Sequence, residues 1–115
     1  MRHRVKGRKF GRVRKTRKAF LKSVLRSFVE HGKIETTLAR AKSTRILAEK
    51  MVTKAKKGGL SRRREIEKML GPKQTSKIFE VSSSFKDRRG GYTRITRTRR
   101  RNHDQAEMAV LEFVK

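Results

Sequence analysis

The side chains able to do acid–base or metal chemistry in this sequence are few and badly spaced. Its histidines, His3, His31 and His103, fall in a basic leading stretch, beside a glycine, and in an arginine-rich tract. None has the H-x-x-x-H spacing that brings two imidazoles onto one helix face. Glu65 and Glu67 stand two apart, nearly opposite on a helix, and cannot work as a paired acid and base. Asp104 and Glu107 flank arginines, where balancing charge is their simplest role. A ribonuclease built on His103 would need a second positioned group, and the sequence shows none. The string Gly71-Pro72-Lys73-Gln74-Thr75 has a faint phosphate-loop look. It follows a helical stretch rather than a strand, however, and proline interrupts it. With no cysteine there is no disulfide, redox pair or thiolate zinc site. No cofactor, metal or small-molecule substrate is expected.

What remains is positive charge. The 115 residues carry 35 Lys+Arg against 10 Asp+Glu, a formal net charge of +25. Charge at this density repels itself and opposes compaction unless a polyanion supplies the counter-charge. It falls in four patches: residues 1–18; Lys18, Lys22 and Arg26; Arg62 to Arg64; and Arg88 through Arg101. Patches on every element suit a protein surrounded by folded RNA, which presents phosphates from several directions. They suit less well a single recognition helix entering one groove. Arginine dominates 88–101, and its guanidinium bonds phosphate bidentately and stacks on bases. Phe10 and Tyr92 are the aromatics nearest the basic runs, candidates for stacking on an unpaired base.

The elements that must position these groups follow from periodicity. Residues 1–15 form a basic arm with no acid and no apolar stripe, unable to order itself without phosphates. From about Thr16, Phe20, Leu21, Val24, Leu25, Phe28 and Val29 recur at three and four, predicting a helix that stops at His31-Gly32. Lys33 to Thr36 reads as an edge strand, and Thr37 as the N-cap of a second helix ending at Gly58-Gly59. Ser61 is the expected cap of a short third helix with Ile66, Met69 and Leu70 inward. A fourth helical segment spans roughly Gln74 to Ser84. After the Gly90-Gly91 turn, Tyr92 to Thr98 and Met108 to Val114 read as two strands of a hairpin. The prediction is one compact α+β domain over 16–115, three to four helices packed on a small antiparallel sheet, with the basic arm extended in front.

Only 33% of residues are apolar and 6% aromatic, so the core is thin. No apolar run has the length of a membrane span or a signal peptide. The arginine-rich, acid-free start has the composition of a mitochondrial transit peptide but lacks its amphipathic stripe. A cationic membrane-active peptide is disfavoured too, because Gly, Pro and strand-like segments break any continuous basic helix.

Particular strings go further. Met1-Arg2-His3-Arg4 with Gly7-Arg8-Lys9 resembles the opening of the bacterial-type large-subunit ribosomal protein seventeen family. His31-Gly32-Lys33-Ile34-Glu35-Thr36-Thr37-Leu38, then Ala41-Lys42 and Arg45, is similar to its helix–strand–helix junction. Gly90-Gly91-Tyr92-Thr93-Arg94-Ile95 and the pattern Asp104, Ala106, Met108-Ala109, Glu112 resemble its later signature and closing strand. The chain departs at Lys15-Thr16-Arg17, where family members often carry Ser-His-Arg, and over 60–85, which follows no familiar pattern.

The resemblance implies a structural constituent of the large ribosomal subunit near the polypeptide exit tunnel, with no catalytic activity. It further implies large-subunit ribosomal RNA and neighbouring ribosomal proteins as partners, a cytoplasmic rather than organellar ribosome, and no homo-oligomer. A nucleoid or histone-like DNA-compacting protein is the alternative; it would call for dimerisation and a repeated duplex-binding face. Expected phosphate contacts are Arg2, Arg4, Arg8, Lys9, Arg12 and Arg14 in the arm, and Lys22, Arg45, Arg63, Arg94, Arg97 and Arg99 in the body.

Overall fold

The structure, a computed structural model, describes residues 7–114; Arg2 and Arg4 of the expected contacts lie outside them. Helix α1 (Arg14–His31) buries Leu25, Phe28 and Val29 and closes on Gly32, whose φ of 73° gives the left-handed cap. It starts two residues before Thr16, because the Arg17 N–H already bonds the Val13 carbonyl at 2.9 Å. Arg14 therefore belongs to the first turn of α1 rather than to a leading arm.

Strand β1 (Lys33–Thr37) runs directly into α2 (Leu38–Lys57), and the Thr37 hydroxyl accepts the Arg40 N–H as the expected cap. The buried side of α2 is Leu38, Ala41, Thr44, Ala48, Met51, Val52 and Ala55. Its alanines keep that surface flat, and α2 contacts the other three helices and all three strands. Helix α3 (Leu60–Leu70) starts at Leu60 with Gly59 as its N-cap, not Ser61. The Gly58-Gly59 pair has already turned the chain, so Ser61 sits inside the first turn. Gly71, at φ 84°, ends α3 and caps α4 (Pro72–Ser83). Helix α4 thus begins two residues before Gln74, since proline at the first helical position has no N–H to satisfy.

Strands β2 (Thr93–Arg100) and β3 (Glu107–Phe113) form the hairpin, and β3 also pairs with β1, giving the antiparallel order β1-β3-β2. Strand β1 is an edge, as expected. Strand β2 continues past Thr98 to Arg100 through an irregularity between Arg97 and Arg100. Ile34, Leu111 and Ile95 stand in register on the helix-covered face. Phe28 of α1 stacks on Phe113 at 4.4 Å between ring centroids, and Phe85 adjoins both Phe113 and Tyr92. Such ring pairs add about 0.5–1.5 kcal/mol each beyond their burial, a useful share in a core this thin.

Candidate nucleic-acid interface

The described part of the arm does not stand off from the body. Phe10 and Gly11 both have positive φ, 53° and 62°, which bends the chain back on α1. The Phe10 ring meets Phe20 edge-on at 5.6 Å. Two guanidinium groups lie over Phe20, Arg12 at 4.1 Å from its centroid and Arg40 at 5.0 Å. At sites with this much exposure each contact stabilises by about 0.5–1 kcal/mol. Arg12 Nη1 also donates to the Phe10 carbonyl at 2.7 Å, and Arg8 Nη1 reaches Ser43 Oγ of α2 at 3.5 Å. The root of the arm is therefore fixed, with Arg8, Lys9 and Arg14 exposed and Arg12 half-buried.

The two aromatics expected to stack on bases are engaged inside the protein. Tyr92 is only 2% exposed, its ring against Phe85 and its hydroxyl accepting from Lys56 Nζ at 3.0 Å. A base could reach it only by opening the core, so the stacking role expected of Tyr92 is corrected to a packing role. Phe10 is half-buried against Phe20.

The expected basic residues fall into two groups. Some are already bonded. Arg94 donates from Nε and Nη2 to Glu112 Oε1 at 3.1 and 2.7 Å, directly across from it in register. Lys33 lies 3.9 Å from the other oxygen of Glu112, so β1, β3 and β2 carry an alternating charge row. Arg45 sits 3.7 Å from Glu49 one turn on, and Arg63 lies over the Phe79 ring at 4.9 Å. Others are open. Arg97 and Arg99 on β2 are exposed and make no ion pair with a described residue. Lys22, half-buried, lines a groove between α1 and α4 with Arg26, Glu30 and Gln74.

At the hairpin tip, the expected arginine loop is half-neutralised. Arg100 pairs with Glu107 at 3.2 Å, and Arg101 grips both oxygens of Asp104 at 3.0 and 2.6 Å. Hydrogen bonds from the Arg101 side chain, then from the Ala106 N–H, hold the Asp104 carboxyl well below the usual carboxylate range.

The sequence reading missed a pair of fasteners on α2. Glu49 Oε1 accepts both the N–H and the hydroxyl of Thr93. Lys56 Nζ donates to the Arg88 carbonyl as well as to Tyr92. Glu49 and Lys56 are seven apart, two turns along one helix face, which is the signal that relates them. Together they secure the Gly90-Gly91-Tyr92-Thr93 turn, so that signature string serves architecture first. Among the described residues no cluster of His, Cys, Asp or Glu could hold a metal ion, and no helix is long and apolar enough to cross a membrane.

Residues 20–114 match the family model of Ribosomal protein L17. The chain is 46% identical over 116 residues to the large ribosomal subunit protein bL17 of Thermodesulfovibrio yellowstonii, covering 99% of this chain and 87% of that one. It is 47% identical over 109 residues to the bL17 of Clostridium acetobutylicum, covering 93% and 96%. Against the bL17 of Nautilia profundicola it is 42% identical over 120 residues, covering 99% and 98%. A small helix-covered sheet with a folded-back basic root, matched over almost its whole length, places the chain in the ribosomal protein L17 family.

Proposed function

We propose that the chain is a structural constituent of the large ribosomal subunit that binds and organises large-subunit ribosomal RNA. The observation that carries this reading is the spread of exposed cations over the arm root, α1, α3 and β2, around a body in which Glu30, Glu49 and Glu65 fasten elements to one another. Lys54–Glu65 ties α2 to α3 and Lys73–Glu30 ties α4 to α1, so the frame is braced and the surplus charge faces outward. The names borne by the relatives agree with this placement. We extend the proposal to a position beside the polypeptide exit tunnel, with neighbouring ribosomal proteins, in a cytoplasmic ribosome and as a monomer, in keeping with the family resemblance. The DNA-compacting alternative draws no support from the family.

Each phosphate neutralised releases counterions, so affinity falls by roughly 0.7–0.9 log unit per contact per log unit of salt. The test is binding of the whole chain to large-subunit ribosomal RNA and to duplex DNA across a salt series, with a footprint on the RNA. A discrete footprint, a steep salt slope and preference for the RNA are expected. Equal binding to any duplex with no footprint would overturn the proposal.

A further inference from the structure

An open cavity of about 510 Å³ lies where three separate parts of the chain meet: the arm root, the start of α2, and the far end of the β2–β3 hairpin. Its size falls within the ~300–1,000 Å³ of ordinary ligand sites. Each part contributes a cation to the lining, Arg8, Lys42 and Arg100 respectively. Glu107, the one acid among the lining residues, is bonded to Arg100.

Each cation is differently prepared. Arg8 is steadied by Ser43 Oγ at the root that Phe10, Arg12 and Phe20 hold in place. Arg100 is oriented by the Gln105 carbonyl at 3.1 Å and by Glu107 at 3.2 Å. Lys42 is exposed and makes no ion pair with a described residue. The cations at positions 8, 42 and 100 face a single acid, Glu107, so an excess of positive charge stands across an open space. Such a convergence lowers its free energy when an anion enters, and two pre-oriented guanidinium groups suit the oxygens of a phosphate.

We infer that this cavity is a clasp for one backbone phosphodiester of RNA, closed on it by Arg8, Lys42 and Arg100. The inference rests on the proposed RNA-binding function and narrows it to one place. In this arrangement a single phosphate joins the arm root to the hairpin end.

The test uses the full chain and large-subunit ribosomal RNA. Lys42→Gln removes an unpaired charge from the clasp. Ala39→Glu puts a carboxylate into it at the second position of α2, where an acid favours the helix, so folding is kept. Lys57→Gln, at the far end of α2, is the control for loss of one charge. Lys42→Gln and Ala39→Glu are expected to weaken binding about tenfold or more. Both should erase the same protected phosphate in an ethylation-interference map, while Lys57→Gln leaves it. If the parent chain binds and both clasp variants behave like Lys57→Gln, the clasp is wrong and RNA binding stands. If the parent chain shows no specific RNA binding, the broader reading fails instead.

Discussion

One carboxylate oxygen, Glu49 Oε1, accepts both the backbone N–H of Thr93 at 3.2 Å and its hydroxyl at 2.9 Å. Thr93 is 4% exposed, so neither donor has water as a substitute. Hydrogen bonds to a charged acceptor contribute about 1.5–3 kcal/mol, and orphaned buried donors cost more than the bond itself. Glu49→Ala should therefore lower stability by about 2–3 kcal/mol. Glu49→Gln, which keeps an acceptor oxygen, should lose less. Urea unfolding with an unchanged slope and a lowered midpoint is the expected result.

Thr44 supplies the opposite case. It is fully buried in α2, and its Oγ1 has no hydrogen-bond partner among the described residues. Thr44→Val keeps the shape and removes the stranded hydroxyl. It should raise stability by about 1 kcal/mol, measured in the same unfolding series.

The hairpin tip makes a prediction about acid. Because its folded-state pKa is depressed, Asp104 contributes to loop order above the ordinary carboxylate pKa, and that contribution is lost as pH falls through the depressed value. The Asp104 side-chain carbonyl resonance should thus stay flat down to about pH 3. Arg101→Gln should return its midpoint toward ~3.9. The pair is exposed, so the effect is confined to the loop.

Arginines on one strand should not contribute equally to RNA binding. Arg94 spends two donors on Glu112, whereas Arg97 and Arg99 have no ion-pair partner among the described residues. Arg97→Gln and Arg99→Gln should each flatten the salt slope by roughly 0.7–0.9. Arg94→Gln should change it less and should loosen the sheet instead, visible as faster amide exchange at Glu112.

The arm root can be unlocked without touching its charge. Phe20→Leu removes the ring that Phe10, Arg12 and Arg40 share. The Arg12 N–H, bonded to the Lys9 carbonyl at 3.1 Å, should then exchange faster, while the amides of α2 and β3 keep their protection.

What the sequence made legible, and what it did not, divides along the range of the forces involved. The last turn of α1 and both ends of α2 were readable because Gly32, Thr37 and Gly58 act on their own neighbours. The start of α3 was misplaced because Ser61 is a good cap but Gly59 had already turned the chain. The β1–β3 pairing is invisible locally, since Lys33 and Glu112 meet across about two-thirds of the chain. For the same reason no neighbour in sequence marks Glu49 as the acceptor for Thr93, and Tyr92, beside arginines in sequence, gave no sign that it faces Phe85. The basic residues themselves were plain to read; which of them had a private partner depended on register.

The strand order has a temporal consequence. β3 is the last of the described elements, yet it lies between β1 and β2 and supplies every ladder bond that either edge makes. During synthesis the four helices can form and gather while β1 waits, unpaired, for more than sixty further residues. A nascent chain stopped anywhere before Glu107 has no sheet at all, and one stopped a few residues short of Phe113 loses the ring that stacks on Phe28. The sheet is thus closed only by its middle strand: until β3 arrives, two edges stay open to the wrong neighbour.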